Sequence, residues 1–116
     1  MRRLILAALL GACLFAAQPA RAQIADNSVT VGTSAALALA AATTRQRVWL
    51  YMQNRSANAI SCSWTTVSPT VRGAGTFTLP TQDSTLAIQF PSIMPSDAIY
   101  CIASGAGSGL TILSIP

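Results

Sequence analysis

Arg47-Val-Trp-Leu-Tyr-Met-Gln-Asn54 is followed, after a short polar stretch, by Ile60-Ser-Cys-Ser-Trp-Thr65. Successive side chains of a strand point to opposite sides, so Val48, Leu50 and Met52 share one face and Trp49, Tyr51 and Gln53 the other. In the second segment Ile60, Cys62 and Trp64 alternate with Ser61, Ser63 and Thr65. Cys62 therefore belongs to the apolar, inward face. Asn54 to Asn58 is polar and turn-forming, and joins the two strands as an expected hairpin.

Working outward from this pair, the punctuation is that of an all-β fold, with short runs of period two between Gly, Pro, Asn and Ser. Ser28 to Gly32 is a first strand, with Val29 and Val31 on one face. Thr33 to Ala42 is Ala-rich enough for a helical turn, but its place between β segments favours a strand and a loop. Further strands are expected at Gly75 to Leu79, at Leu86 to Phe90 with Leu86, Ile88 and Phe90 on one side, at Ala98 to Ala103, and at Leu110 to Ile115. Pro80, Pro91 and Pro95 fall between strands, where a missing N–H does least harm. About seven short strands predict a single small antiparallel β-sandwich, or a partly open barrel, over residues 23–116.

The first 22 residues read as a cleaved secretory signal. Arg2 and Arg3 precede an apolar run from Leu4 to Ala17, and Ala20-Arg-Ala22 supplies the small residues of a cleavage site, leaving Gln23 as the mature N-terminus. The run is short of the ~20 apolar residues of a membrane span, so no stable span is expected after cleavage. Leu10-Gly-Ala-Cys13 resembles a bacterial lipobox, which would anchor the chain through a lipidated Cys13. Against that, Leu14-Phe-Ala-Ala17 continues the apolar run instead of turning polar. The expected address is the periplasm or the extracellular space.

Export also changes the charge. The net charge of +4 comes from seven Arg and three Asp, but Arg2, Arg3 and Arg21 leave with the signal, so four Arg face three Asp. Arg45, Arg47, Arg55 and Arg72 are too few and too scattered for the basic stripe that nucleic acid requires, and nucleic acid is excluded as a partner. With Cys13 removed, Cys62 and Cys101 remain as an even pair in an oxidising compartment, and a disulfide is the expectation.

Val29-Thr-Val-Gly-Thr33, Arg47 to Asn54, Asn58-Ala-Ile60 and Ala98-Ile-Tyr-Cys-Ile-Ala-Ser104, before a Gly-rich turn and a last strand, resemble small β-sandwich proteins of tailed phages of the decoration or head-fibre type. The resemblance spans most of the mature chain and implies a β-sandwich with a structural, interaction role. The export signal and the cysteine pair depart from it, since a capsid protein assembled in the cytoplasm needs neither. The implied protein is an exported bacterial version of a phage-type module.

Catalytic chemistry is poorly supplied. The chain has no His, Glu or Lys, which removes the commonest general bases, metal ligands and amine nucleophiles. The carboxylates are Asp26, Asp83 and Asp97; Asp83 and Asp97 lie in turn-forming contexts, where a short side chain satisfies local backbone donors. Gly73-Ala-Gly75 and Gly105-Ala-Gly-Ser-Gly109 open no helix and carry no Lys, so they read as turns and not as phosphate cradles. Asn54-Arg55-Ser56 fits a glycosylation sequon, which its loop position explains without a sugar.

The surface feature above background is Trp49 with Tyr51, joined on the same strand face by Arg47 and Gln53. Either this face is exposed and suited to a protein or sugar contact, or a neighbouring segment such as the Ala-rich stretch covers it. The expected function is a noncatalytic, exported structural or interaction module that needs no cofactor and no metal. It binds a protein or cell-surface partner through a sheet face, and self-association through a strand edge would fit the same role. The alternative is a periplasmic carbohydrate-binding or inhibitor-like domain using Trp49, Tyr51 and Arg47; a hydrolase built on Asp residues comes third.

Overall fold

The computed structural model describes residues 23–43, 46–89 and 96–115. The signal segment with Cys13, together with Arg45, Phe90, Pro91 and Pro95, lies outside the described residues. The protein is an all-β sandwich of two antiparallel sheets. One sheet holds β1 (Ala25–Asp26), β2 (Val29–Val31), β4 (Trp49–Asn54), β7 (Thr85–Gln89) and β9 (Ser108–Ile115). The other holds β3 (Ala36–Leu39), β5 (Ile60–Ser63), β6 (Phe77–Leu79) and β8 (Ile99–Ala103), in the order β3-β8-β5-β6.

In the five-stranded sheet β9 is the scaffold. It takes β4 along one side and β1 and β2 along the other, and β7 adds beyond β4 to form one edge. β1 and β2 share a single register against β9 and are separated only at Asn27 and Ser28, where Ile112 N–H donates to the Ser28 hydroxyl at 3.4 Å. The Ala-rich stretch supplies β3, a strand as its context predicted, paired to β8 with a register shift between Leu37 and Leu39.

The core lies between the sheets. Leu50 and Met52 of β4 and Leu110 and Ile112 of β9 meet Ile60 and Cys62 of β5 and Ile99 and Cys101 of β8, all of them buried. This is the alternation expected of inward positions on two facing sheets. The disulfide Cys62–Cys101 lies inside this core, between strands that are neighbours in one sheet: the two residues are direct partners in the β5–β8 ladder, with Cα atoms 4.1 Å apart. Its sequence separation of 39 closes a loop that stabilises by roughly 4 kcal/mol on a chain-entropy model.

The expected β4–β5 hairpin is not formed. The two strands belong to opposite sheets, so their apolar faces oppose each other across the core instead of lying side by side. Residues 55–59 form an arch across the gap between sheets, which is about 10 Å in sandwiches. Asn54 holds the arch from inside. Fully buried, its amide donates to Asn58 O at 2.7 Å and to Leu79 O of β6 at 2.9 Å, while its carbonyl oxygen accepts from Ser56 N and Ser56 Oγ, both at 2.9 Å. The chain again changes sheet between β8 and β9, through a turn in which Gly107 takes a left-handed φ of 69°. That conformation favours glycine because it has no Cβ to clash.

The alternation also slips at the start of β4. Val48, expected inward, is 44% exposed, and Arg47, expected outward, is 4% exposed. β4 begins only at Trp49, and Val48 extends past the end of the core while still donating its N–H to Ile115 O. Finally, the hydroxyl side of β5 is not open to solvent. The segment 64–76 folds over it, with Arg72 N–H donating to Ser61 Oγ at 2.8 Å and Ser63 Oγ donating to Gly75 O at 2.8 Å.

Candidate interaction face

Trp49, Tyr51 and Gln53 point away from the core on the outer face of the five-stranded sheet. Each has a defined neighbour on either side: Trp49 lies between Ile115 and Gln89, Tyr51 between Leu113 and Ala87, and Gln53 between Thr111 and Thr85. Because cross-strand partners point the same way, these residues form continuous rows. The Trp49 and Tyr51 rings are near-parallel, with planes 9° apart and centroids at 6.0 Å. Ile24, Val48, Trp49, Gln89 and Ile115 line a shallow, open depression at one end of the face.

Trp49 and Tyr51 are partly exposed, each half-sheltered by its ring partner and by the aliphatic side chains beside it. The Ala-rich stretch does not cover them, because β3 belongs to the opposite sheet. Ile24, at 59% exposure, extends the apolar surface beyond β1. Asp26, the partner of Leu113, brings a charge to the same face. Its carboxyl is held below the usual carboxylate range by hydrogen bonds from the Ser28 hydroxyl and the Ser28 N–H, at 2.6 and 2.9 Å.

Arg47 does not join this face. Its guanidinium turns inward and donates to the carbonyl oxygens of Ala40 and Asp97, the latter at 3.1 Å, tying β4 to the segments flanking β3 and β8. Burial lowers its pKa and the charge of Asp97 opposes that shift, but an arginine remains protonated throughout. Of the four residues expected on the face, Trp49, Tyr51 and Gln53 are there and Arg47 is a structural tie. Gln53 is partly engaged, donating through Nε2 to Asp83 Oδ1 at 3.2 Å.

Sequence reading overlooked Leu113, Ile115, Ala87, Ile24 and Val48. The period-two pattern of Gly109-Leu-Thr-Ile-Leu-Ser-Ile115 does put Thr111, Leu113 and Ile115 on one side, but only the β4–β9 pairing puts that side next to Trp49 and Tyr51.

The remaining candidates resolve into local structure. Asp83 adopts φ 66° in the turn before β7 and its N–H donates to Asn54 O. Asn54, the first residue of the sequon, is wholly engaged in the arch and faces no solvent. Gly75 has φ 74° in the segment covering β5, and a side chain at Gly105 would collide with Asn58. Among the described residues no group of three His, Cys, Asp or Glu side chains could hold a metal ion, and no helix is long and apolar enough to cross a membrane. The disulfide is the mark of an oxidising, exported compartment. No known protein family, curated protein or solved structure matches the chain.

Proposed function

We propose that the chain is an exported, noncatalytic interaction module, similar in kind to phage decoration proteins, that binds a protein or cell-surface partner through the outer face of its five-stranded sheet. The observation that carries this reading is the aromatic pair Trp49 and Tyr51 set in rows with Leu113, Ile115 and Ala87 on an uninterrupted sheet surface. Rigid aromatics on a flat apolar patch are the residues that dominate binding energy in protein interfaces. A chain without His, Glu or Lys has little means of turnover, which suits a binding role. Cleavage at Gln23 and delivery to the periplasm or beyond complete the proposal.

The test is binding of the labelled protein to the surface of the cells that produce it, or to envelope proteins captured from them, with Trp49→Ala as the variant. The expected loss is about 2 kcal/mol or more of binding with folding nearly intact. A variant that is strongly destabilised yet binds unchanged refutes the proposal. One observation favours the alternative, a carbohydrate-binding domain: near-parallel rings flanked by the amides of Gln53 and Gln89 suit the apolar face and the hydroxyls of a pyranose. A glycan array separates the two readings.

A further inference from the structure

We infer that β7 is a docking edge for a second copy of this chain, which adds to it as an antiparallel strand about a two-fold axis through Ala87. An unpaired strand edge is a template for another strand, and sheets ordinarily blunt their edges with charge, proline, bulges or brevity. The other edges of this sandwich carry such devices. The edge formed by β1 and β2 bears Asp26 and is interrupted at Asn27 and Ser28. β3 shifts register between Leu37 and Leu39. β6 is three residues long and is followed at once by Pro80. β7, Thr-Leu-Ala-Ile-Gln, has none of them: it pairs with β4 in unbroken register over all five residues and contains no charge, proline or glycine.

The hydrogen-bond phase gives the geometry. Asn54 N–H donates to Ser84 O just before β7, and antiparallel ladders alternate from one residue to the next. Leu86 and Ile88 therefore direct their N–H and C=O groups toward β4, and Thr85, Ala87 and Gln89 direct theirs outward. Among the described residues no strand takes those outward groups. Leu86 and Ile88 pack against the core yet remain partly exposed, because the sheet ends there.

A second β7 satisfies all of this at once, and that is the argument for a copy over an unrelated strand. With Ala87 opposite Ala87, Thr85 of one copy falls opposite Gln89 of the other, and Leu86 opposite Ile88. The outward N–H and C=O groups pair, no like charges meet, the small methyls sit at the axis, and the half-covered Leu86 and Ile88 close a continuous apolar seam. The two five-stranded sheets merge into one. The inference concerns the backbone edge of β7; it shares Ala87 with the face proposed above, and Trp49→Ala, which changes the face and leaves the edge intact, separates the two.

Analytical ultracentrifugation of the exported protein across a wide concentration range tests it, with Ala87→Lys, Ala87→Cys, Thr85→Cys and Trp49→Ala as variants. The expected results are a reversible dimer for the parent, a monomer with unchanged far-UV circular dichroism for Ala87→Lys, and a dimer retained by Trp49→Ala. Mild oxidation should crosslink Ala87→Cys to itself, because residues facing each other across the axis are within disulfide reach. It should leave Thr85→Cys uncrosslinked, since its two copies would lie roughly 14 Å apart along the strands. A parent that stays monomeric, a dimer that survives Ala87→Lys, or equal crosslinking of both cysteine variants overturns the inference. Loss of the dimer in Trp49→Ala overturns it as well and assigns self-association to the sheet face.

Discussion

Replacing Asn54 by Ala should be among the most damaging single polar substitutions in this protein. Asn54 is fully buried and serves four hydrogen bonds, two donated to carbonyls and two accepted from Ser56. In the alanine variant, Asn58 O keeps a contact from Ser56 Oγ at 3.3 Å, and the Ser56 donors lie near enough to solvent to find water. Leu79 O also keeps a partner, because Ile60 faces it in the β5–β6 ladder, yet it loses the amide that reached it from the core in a residue only 4% exposed. No carbonyl is orphaned, so the cost is that of the lost bonds: about 1 kcal/mol net for each of the two donated to carbonyls, and about half that for each of the two from Ser56, which water replaces in part. The expected loss is therefore about 3 kcal/mol, read by urea denaturation with an unchanged m-value. Asn54→Asp should be at least as harmful at neutral pH, since a carboxylate turned toward two carbonyls has no proton to donate. It should recover in part on acidification, when the protonated acid can donate once. A loss below about 1 kcal/mol in Asn54→Ala, or a pH-independent Asn54→Asp, would refute the arch assignment. In a hairpin turn, by contrast, an exposed Asn would tolerate both changes.

Replacing Cys62 and Cys101 together by Ser should lower stability by roughly 4 kcal/mol without creating a metal dependence, and the native protein should resist alkylation until it is reduced and unfolded. The Asp26 carboxyl, followed by NMR, should titrate below the ordinary carboxylate pKa of 3.8, and Ser28→Ala should raise it. Since its folded pKa is depressed, its contribution to stability is fully present above the unfolded value and is lost as pH falls through the folded one. Intact mass of protein recovered from its host should correspond to a chain beginning at Gln23. A lipidated chain beginning at Cys13 or an uncleaved precursor would overturn that expectation.

Most of the strands were legible in the sequence because alternation is local. A strand with one face in the core and one outside repeats every two residues wherever it pairs, and Leu50, Met52, Ile60, Cys62 and Ile99 announce their side without reference to a partner. The even pair of cysteines in an exported chain likewise followed from chemistry and compartment. The pairing of strands was not local. A polar stretch between two apolar-faced strands serves a hairpin and an inter-sheet arch equally well, and the choice rests on Asn54 reaching Leu79 O, 25 residues away. Arg47 kept the parity of an outward residue, but carbonyls of Ala40 and Asp97 drew it inward. Trp49 and Tyr51 could be assigned to the second face of their strand from sequence. Only β9 and β7, pairing from 66 and 40 residues downstream in the registers Trp49↔Ile115 and Trp49↔Gln89, surrounded the aromatic pair with further side chains on that face, because cross-strand neighbours are set by the whole sheet and not by the segment that carries them.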